Sequence, residues 1–143
     1  MNVFISHAAE DRQVAGRLAA VLEKGGHKVW TDRELLPGDN FMRVIQSALE
    51  DADALVALVS PRALASDWVK REWEYALGQE KFAGRLIPVV VGEARPQDLE
   101  DAPWIFDRLY IRGATATEAG QRVMRLLGKP RGARARGSQR ASQ

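Results

Sequence analysis

The residues best suited to chemistry in this chain lie in the run Ser66-Asp67-Trp68-Val69-Lys70-Arg71-Glu72-Trp73. On a helix, a carboxylate four residues after a tryptophan stands one turn along on the same face. A broad aromatic surface beside an acid can hold a flat cationic ligand and stabilise developing positive charge. The same spacing also suits an ordinary amphipathic helix whose tryptophan packs and whose carboxylate is solvated. Within this helix Val69, Trp73 and Ala76 form an apolar stripe for the core. Trp68, Glu72 and Tyr75 form a second, separate stripe, so Trp73 is the expected core tryptophan and Glu72 an exposed carboxylate.

The elements that must carry this helix alternate between short apolar runs and helical patterns, which predicts βα units and a parallel sheet. Val3-Phe4-Ile5 reads as a first strand, followed by a helix opening at Glu10 or Asp11 and stopping at Gly25-Gly26. Residues 27–30 read as a second strand and 31–39, with Pro37-Gly38, as a loop. Asn40 is placed to cap a helix through Phe41, Val44, Ile45 and Leu49. Residues 53–60 read as a strand whose run from Ala54 to Val59 is continuously apolar, as a central strand covered on both faces should be. Residues 61–66 then read as a loop, with Ser66 capping a helix from Asp67 to about Gln79. Residues 86–91 make a fourth strand, where Pro88 argues for a strand end or local irregularity. Residues 106–111 make a weak fifth, and a last helix starts at Thr115 or Thr117.

Five such strands, connected right-handedly, predict a flavodoxin-like three-layer α/β sandwich: a five-stranded parallel sheet, order 2-1-3-4-5, with helices on both faces. The sheet then reverses direction between strands 1 and 3, and a ligand crevice is expected outside their carboxyl ends. The second of those exits leads directly into the Trp68/Glu72 helix.

At 143 residues the chain has the length of one domain with a full core. It has no cysteine and two histidines, His7 and His27. Disulfides, thiolate metal sites and a cysteine nucleophile are thereby excluded, no metal site is expected, and catalysis must rest on carboxylates, hydroxyls or a single histidine. No signal sequence or run of about 18 apolar residues is present, so a soluble cytoplasmic protein is the expectation. The net charge of +2 is uneven: five of the 21 basic residues, and none of the 19 acids, fall in 128–143. We therefore divide the chain into a domain, 1–127, and a basic tail, 128–143, expected to be disordered for want of large apolar side chains with which to pack. Five dispersed bases without aromatics make a weak nucleic-acid arm and read better as a solvated terminus.

Other chemistries of this fold class fail on the residues. A receiver domain needs an aspartate at the end of strand 3, which here ends Val59-Ser60. No glycine-rich loop ends in Gly-Lys-Ser/Thr, and Ser6 and Ser60 lack the flanking glycines of a nucleophile elbow.

Three boxes in order resemble a Toll/interleukin-1 receptor (TIR) domain across residues 1–127. The first is Phe4-Ile5-Ser6-His7 followed by Glu10-Asp11, with His7 where a tyrosine is commoner. The second is Trp30 to Asp39 with Arg33 and Pro37-Gly38, similar to the family's BB loop. The third is Leu58-Val59-Ser60-Pro61 followed by the Trp68/Glu72 helix. The resemblance implies one of two functions: cleavage of NAD⁺, as in prokaryotic immune signalling or host interaction, or non-enzymatic scaffolding between TIR domains. In NAD⁺-cleaving members the third box carries the catalytic acid, which implies Glu72 here, whereas Glu74 points to a different face. NAD⁺ is then substrate, and no cofactor is expected. Ser6 could bond the nicotinamide or ribose, or cap the turn that follows it. Arg33 could pair with the diphosphate or with a neighbouring protomer. Trp68 could wall the site or pack, and His7 contact substrate or pack. Asp32, Pro37 and Gly38 belong to the loop expected to serve assembly, although Asp32 and Asp39 also suit simple turns. The partners implied are NAD⁺ and further TIR domains, with no membrane.

Overall fold

Val3, Phe4 and Ile5 are at most 2% exposed and carry the first strand, β1 (Asn2–Ser6). Because side chains alternate across a strand, Val3 and Ile5 face one layer of helices and Phe4 the other. A computed structural model describes residues 1–31, 40–82, 84–92 and 110–128. After β1, a single 3₁₀ turn at Ala9–Asp11 leads into α1 (Arg12–Lys24). The helix stops as expected at Gly25-Gly26. The Gly26 N–H bonds the Glu23 carbonyl and the His27 N–H that of Leu22, with Gly26 at φ 94°, a conformation that favours glycine.

Strand β2 (Lys28–Thr31) lies one residue later than expected, in parallel register with β1 from Asn2↔Lys28 to Ile5↔Thr31. Helix α2 (Phe41–Glu50) is capped by the Asn40 side chain, which accepts from the Arg43 N–H at 2.9 Å. Strand β3 (Ala54–Val59) is buried at all six positions and pairs with β1 on one side and β4 (Leu86–Val91) on the other. Its continuous apolar run has the cause the sequence suggested, helices over both faces.

Residues 61–66 are not simply a loop. Pro61–Leu64 form a short helix, α3, with Pro61 in its first turn, where a missing N–H costs nothing, and Ser60 accepting from the Ala63 N–H at 3.0 Å. Helix α4 (Asp67–Leu77) follows, capped by Ser66. Pro88 likewise departs from expectation, lying within β4 opposite Ala57. Along β4 the N–H groups of alternate residues face the last strand, β5 (Ile111–Gly113), as Gly92, just beyond β4, shows by donating to the Gly113 carbonyl. Pro88 is on that side, one residue before the first β4–β5 partners, Val89↔Ile111, so no rung of the observed ladder needs its N–H.

The fifth strand, β5 (Ile111–Gly113), lies later than the run expected at 106–111, of which only Tyr110 and Ile111 are described. Helix α5 (Ala116–Leu127) is capped by Thr115, one of the two anticipated positions, which accepts from the Glu118 N–H at 3.1 Å. The sheet order is β2-β1-β3-β4-β5, all parallel. One core joins α1 and α5 to Val3, Ile5, Val56 and Val89, and the other joins α3 and α4 to Phe4, Leu55, Ala57 and Val90. This is the expected flavodoxin-like sandwich. The tail from 129 onward lies outside the described residues.

Candidate active site

The chain leaves β1 toward α1 on one face of the sheet and leaves β3 toward α3 and α4 on the other. The two exits diverge at the carboxyl edge, the place where open parallel sheets bind ligands. Ser6 is the last residue of β1 and has the parity of Phe4, so it points to the α4 side.

There Ser6 meets Glu72. The Ser6 hydroxyl donates to Glu72 Oε1 at 2.7 Å, and the Trp73 indole Nε1–H donates to Ser6 Oγ at 3.0 Å. Ser6 is fully buried and Glu72 only 1% exposed. The expectation of an exposed carboxylate is therefore corrected: α4 lies against β1 closely enough that its second stripe is also covered at Glu72. Half-buried Trp68 and Tyr75 pack against the same core, while Val69, Trp73 and Ala76 form its buried stripe as expected. Ser6 does not cap the turn after it, since the residue preceding that turn is Ala8 and it carries no side-chain cap.

A second tie joins the same two exits. Asp11, buried at the end of the 3₁₀ turn, accepts from the Ser60 hydroxyl and from Arg62 Nη1 at 3.1 Å. One hydroxyl thus caps α3 and fastens it to the β1 exit. A cavity of about 320 Å³ opens beside this tie, between Val14 of α1 and Leu58, Arg62 and Val91. Sequence reading missed Asp11 and Ser60 as partners, having taken the first only as an acidic helix start. The available signal was Ser60-Pro61, a cap followed by proline, which marks a helix start.

The other expected site residues divide. His7 is buried next to Ser6, with its Nδ1–H directed to the Ala8 carbonyl at 2.7 Å. Trp68 stands one turn before Glu72 on α4. Glu74 is exposed, on another face. Asp32, Arg33, Pro37, Gly38 and Asp39 lie outside the described residues. Among the described residues no group of three His, Asp or Glu side chains is placed to hold a metal ion, and no helix is long and apolar enough to cross a membrane.

Fold and site together define a class: a doubly wound α/β domain with a buried carboxylate at its topological crevice. The TIR domain profile matches residues 3–124, and the chain belongs to that family. Its relatives include the 2′ cyclic ADP-D-ribose synthase BtTIR of Bacteroides thetaiotaomicron, 28% identical over 81% of this chain and 42% of that protein. The NAD(+) hydrolase TcpA of a Theionarchaea archaeon is 29% identical over 90% of this chain and 40% of its own length. The chain thus spans less than half of either protein. Among solved structures, the TIR domain of the Toll-related receptor TRR-2 from Hydra magnipapillata matches with a TM-score of 0.58 and 24% identity, over 77% of this chain and 82% of that one. The TIR domains of the activated Roq1 resistosome match at 0.63 and 17%, over 89% and 99%. These two show the fold.

Proposed function

We propose that this chain cleaves NAD⁺ at the nicotinamide–ribose bond, releasing nicotinamide and either ADP-ribose or a cyclic ADP-ribose isomer. The observation that carries the reading is the Glu72 carboxylate, enclosed at the carboxyl edge of the sheet and fastened to Ser6. The two relatives named for NAD⁺ chemistry support it.

One acid is enough for this reaction. Breaking the bond passes through an oxocarbenium-like state, as in glycoside hydrolysis, but the leaving pyridine departs neutral and needs no proton. Glu72 stabilises the positive charge growing on the ribose, by strengthening contacts to its hydroxyls or by transient attachment at the anomeric carbon. Away from bulk water a fixed carboxylate acts more strongly on that charge. The reaction is written with NAD⁺ as substrate and no cofactor. A carboxylate this enclosed meets substrate only when its surroundings give way. We assign that opening to association of TIR domains, with Asp32, Pro37 and Gly38 at the contact and Arg33 on the diphosphate. The setting we infer is cytoplasmic, in prokaryotic immune signalling or host interaction.

The test is concentrated protein incubated with NAD⁺ and chromatography of the products, beside Glu72→Gln. Glu72→Gln keeps the side-chain volume and should lower turnover at least about 100-fold, the scale seen when one group stabilising transition-state charge is lost, with the melting temperature retained. Equal turnover by Glu72→Gln, or an inactive parent even when assembled, would overturn the proposal.

A further inference from the structure

Ser6 Oγ has two described partners, Trp73 Nε1 and Glu72 Oε1. An indole N–H can only donate, and a serine hydroxyl has one proton and two lone pairs. Trp73 therefore occupies a lone pair, and the single Ser6 proton is directed at Glu72. The polarity of the chain is fixed: indole N–H to hydroxyl, hydroxyl to carboxylate. A Glu72 carboxyl protonated on Oε1 and donating back would leave Ser6 accepting twice and its own proton without a partner at a fully buried atom, an arrangement that is strongly disfavoured. Burial alone acts the other way, since desolvation favours the neutral acid.

Resting on the proposed role of Glu72, we propose that Trp73 and Ser6 are positioning residues that keep Glu72 ionised and aim Oε1. Trp73 is thus more than filling for the core. Its N–H sets the Ser6 rotor, and the rotor offsets the desolvation that would otherwise neutralise the acid. Ser6 in this state has no proton left to offer a substrate. Its second lone pair can still accept from the nicotinamide amide or a ribose hydroxyl, so Ser6 keeps only the acceptor half of the substrate contact expected from the sequence.

Charged groups on the elements packed against α4 are few among the described residues. His7 follows Ser6 at the β1 exit, Arg62 of α3 is paired with Asp11, and Lys81 in the turn after α4 bonds the Leu49 and Glu50 carbonyls, with Glu80 exposed beside it. On α4 itself Asp67, Lys70, Arg71 and Glu74 are exposed. His7, buried next to Ser6, is therefore the side chain to replace as the control.

The experiment uses the full chain and the variants Ser6→Ala, Ser6→Thr and Trp73→Phe, with two readouts. The first is kcat and KM for NAD⁺ against pH. Losing a hydrogen bond to the charged form should move the acid limb of kcat upward by about one pH unit. KM should change little, and Ser6→Thr, which keeps the hydroxyl, should move the limb less than Ser6→Ala. The second needs no turnover: the ¹⁵N–¹H resonance of the Trp73 indole, assigned by its loss in Trp73→Phe, should shift with pH as Glu72 titrates. That shift should vanish in Glu72→Gln and Ser6→Ala and persist in His7→Gln. An acid limb unmoved in both Ser6→Ala and Trp73→Phe, or an indole signal that titrates identically in Glu72→Gln, would overturn the relay. A titrating indole in a parent that leaves NAD⁺ intact would instead uphold the relay and refute the catalytic reading alone.

Discussion

Ser60 shows how much one hydroxyl can do when both its proton and a lone pair are engaged. It donates to Asp11 and accepts from the Ala63 N–H, so removing it strips the cap from α3 and leaves the buried Asp11 with one donor fewer. Ser60→Ala should therefore destabilise the domain by about 1–3 kcal/mol, measured as a shift in the urea midpoint at constant slope. The Arg62–Asp11 contact adds less, because the Arg62 side chain is 58% exposed and its charge is screened. His27 supplies a pH dependence of known sign. It is buried beside the terminal amine, with Nε2 lacking a partner among the described residues, and desolvation first and that positive charge second lower its pKa below the ordinary value of 6.5. As pH falls through about 6.5 the unfolded chain takes up the proton before the folded one does. Stability is therefore full above that range and declines below it. Denaturation midpoints at pH 7.5 and 5 should separate in the parent more than in His27→Asn, and equal separation would remove His27 from the account.

At the scale of elements, the caps at Asn40, Ser66 and Thr115 were legible because a side-chain oxygen before an apolar period is a local signal. The buried stripe of α4 was legible for the same reason. The enclosure of Glu72 was not, because it depends on Ser6, 66 positions away, and on how closely α4 lies on β1. Periodicity distinguishes the faces of a helix but not how far up its flank a neighbour reaches. Pro88 was misjudged because the rule concerns a ladder bond, and which rungs exist is settled by where β5 begins. The approach of β5 to α5 makes a second demand that sequence alone hides. A Cβ built on Gly113 would lie 2.5 Å from the Ala119 nitrogen and 2.8 Å from its Cα, backbone atoms that cannot turn aside. Gly113→Ala should therefore force α5 off the sheet at a cost of about 1–3 kcal/mol, read as a lowered melting temperature. Gly16→Ala is the control, since nothing lies within 4 Å of the added carbon.

For the whole molecule, the sheet order followed from counting strands and helices, and the described topology agrees with it. The basic tail adds charge without large apolar side chains, so deleting residues 129–143 should leave the melting temperature of the domain within about 2 °C, a shift worth under about 1 kcal/mol for a chain this long. A larger loss, measured by calorimetry, would mean that the tail packs on the domain. The parallel sheet also bears on how the chain reaches its native state. Even the partners closest in sequence, Val89 and Ile111, stand 22 positions apart, and β1 must reach past β2 and α2 to find β3. Loop closure must therefore be completed before any strand pairing stabilises the chain, which slows folding. During that interval Ala54-Leu55-Val56-Ala57-Leu58-Val59 is an uncharged, β-prone segment without its neighbours, and it will associate between chains as readily as within one. Yield on refolding should consequently fall with protein concentration well before native stability is at risk.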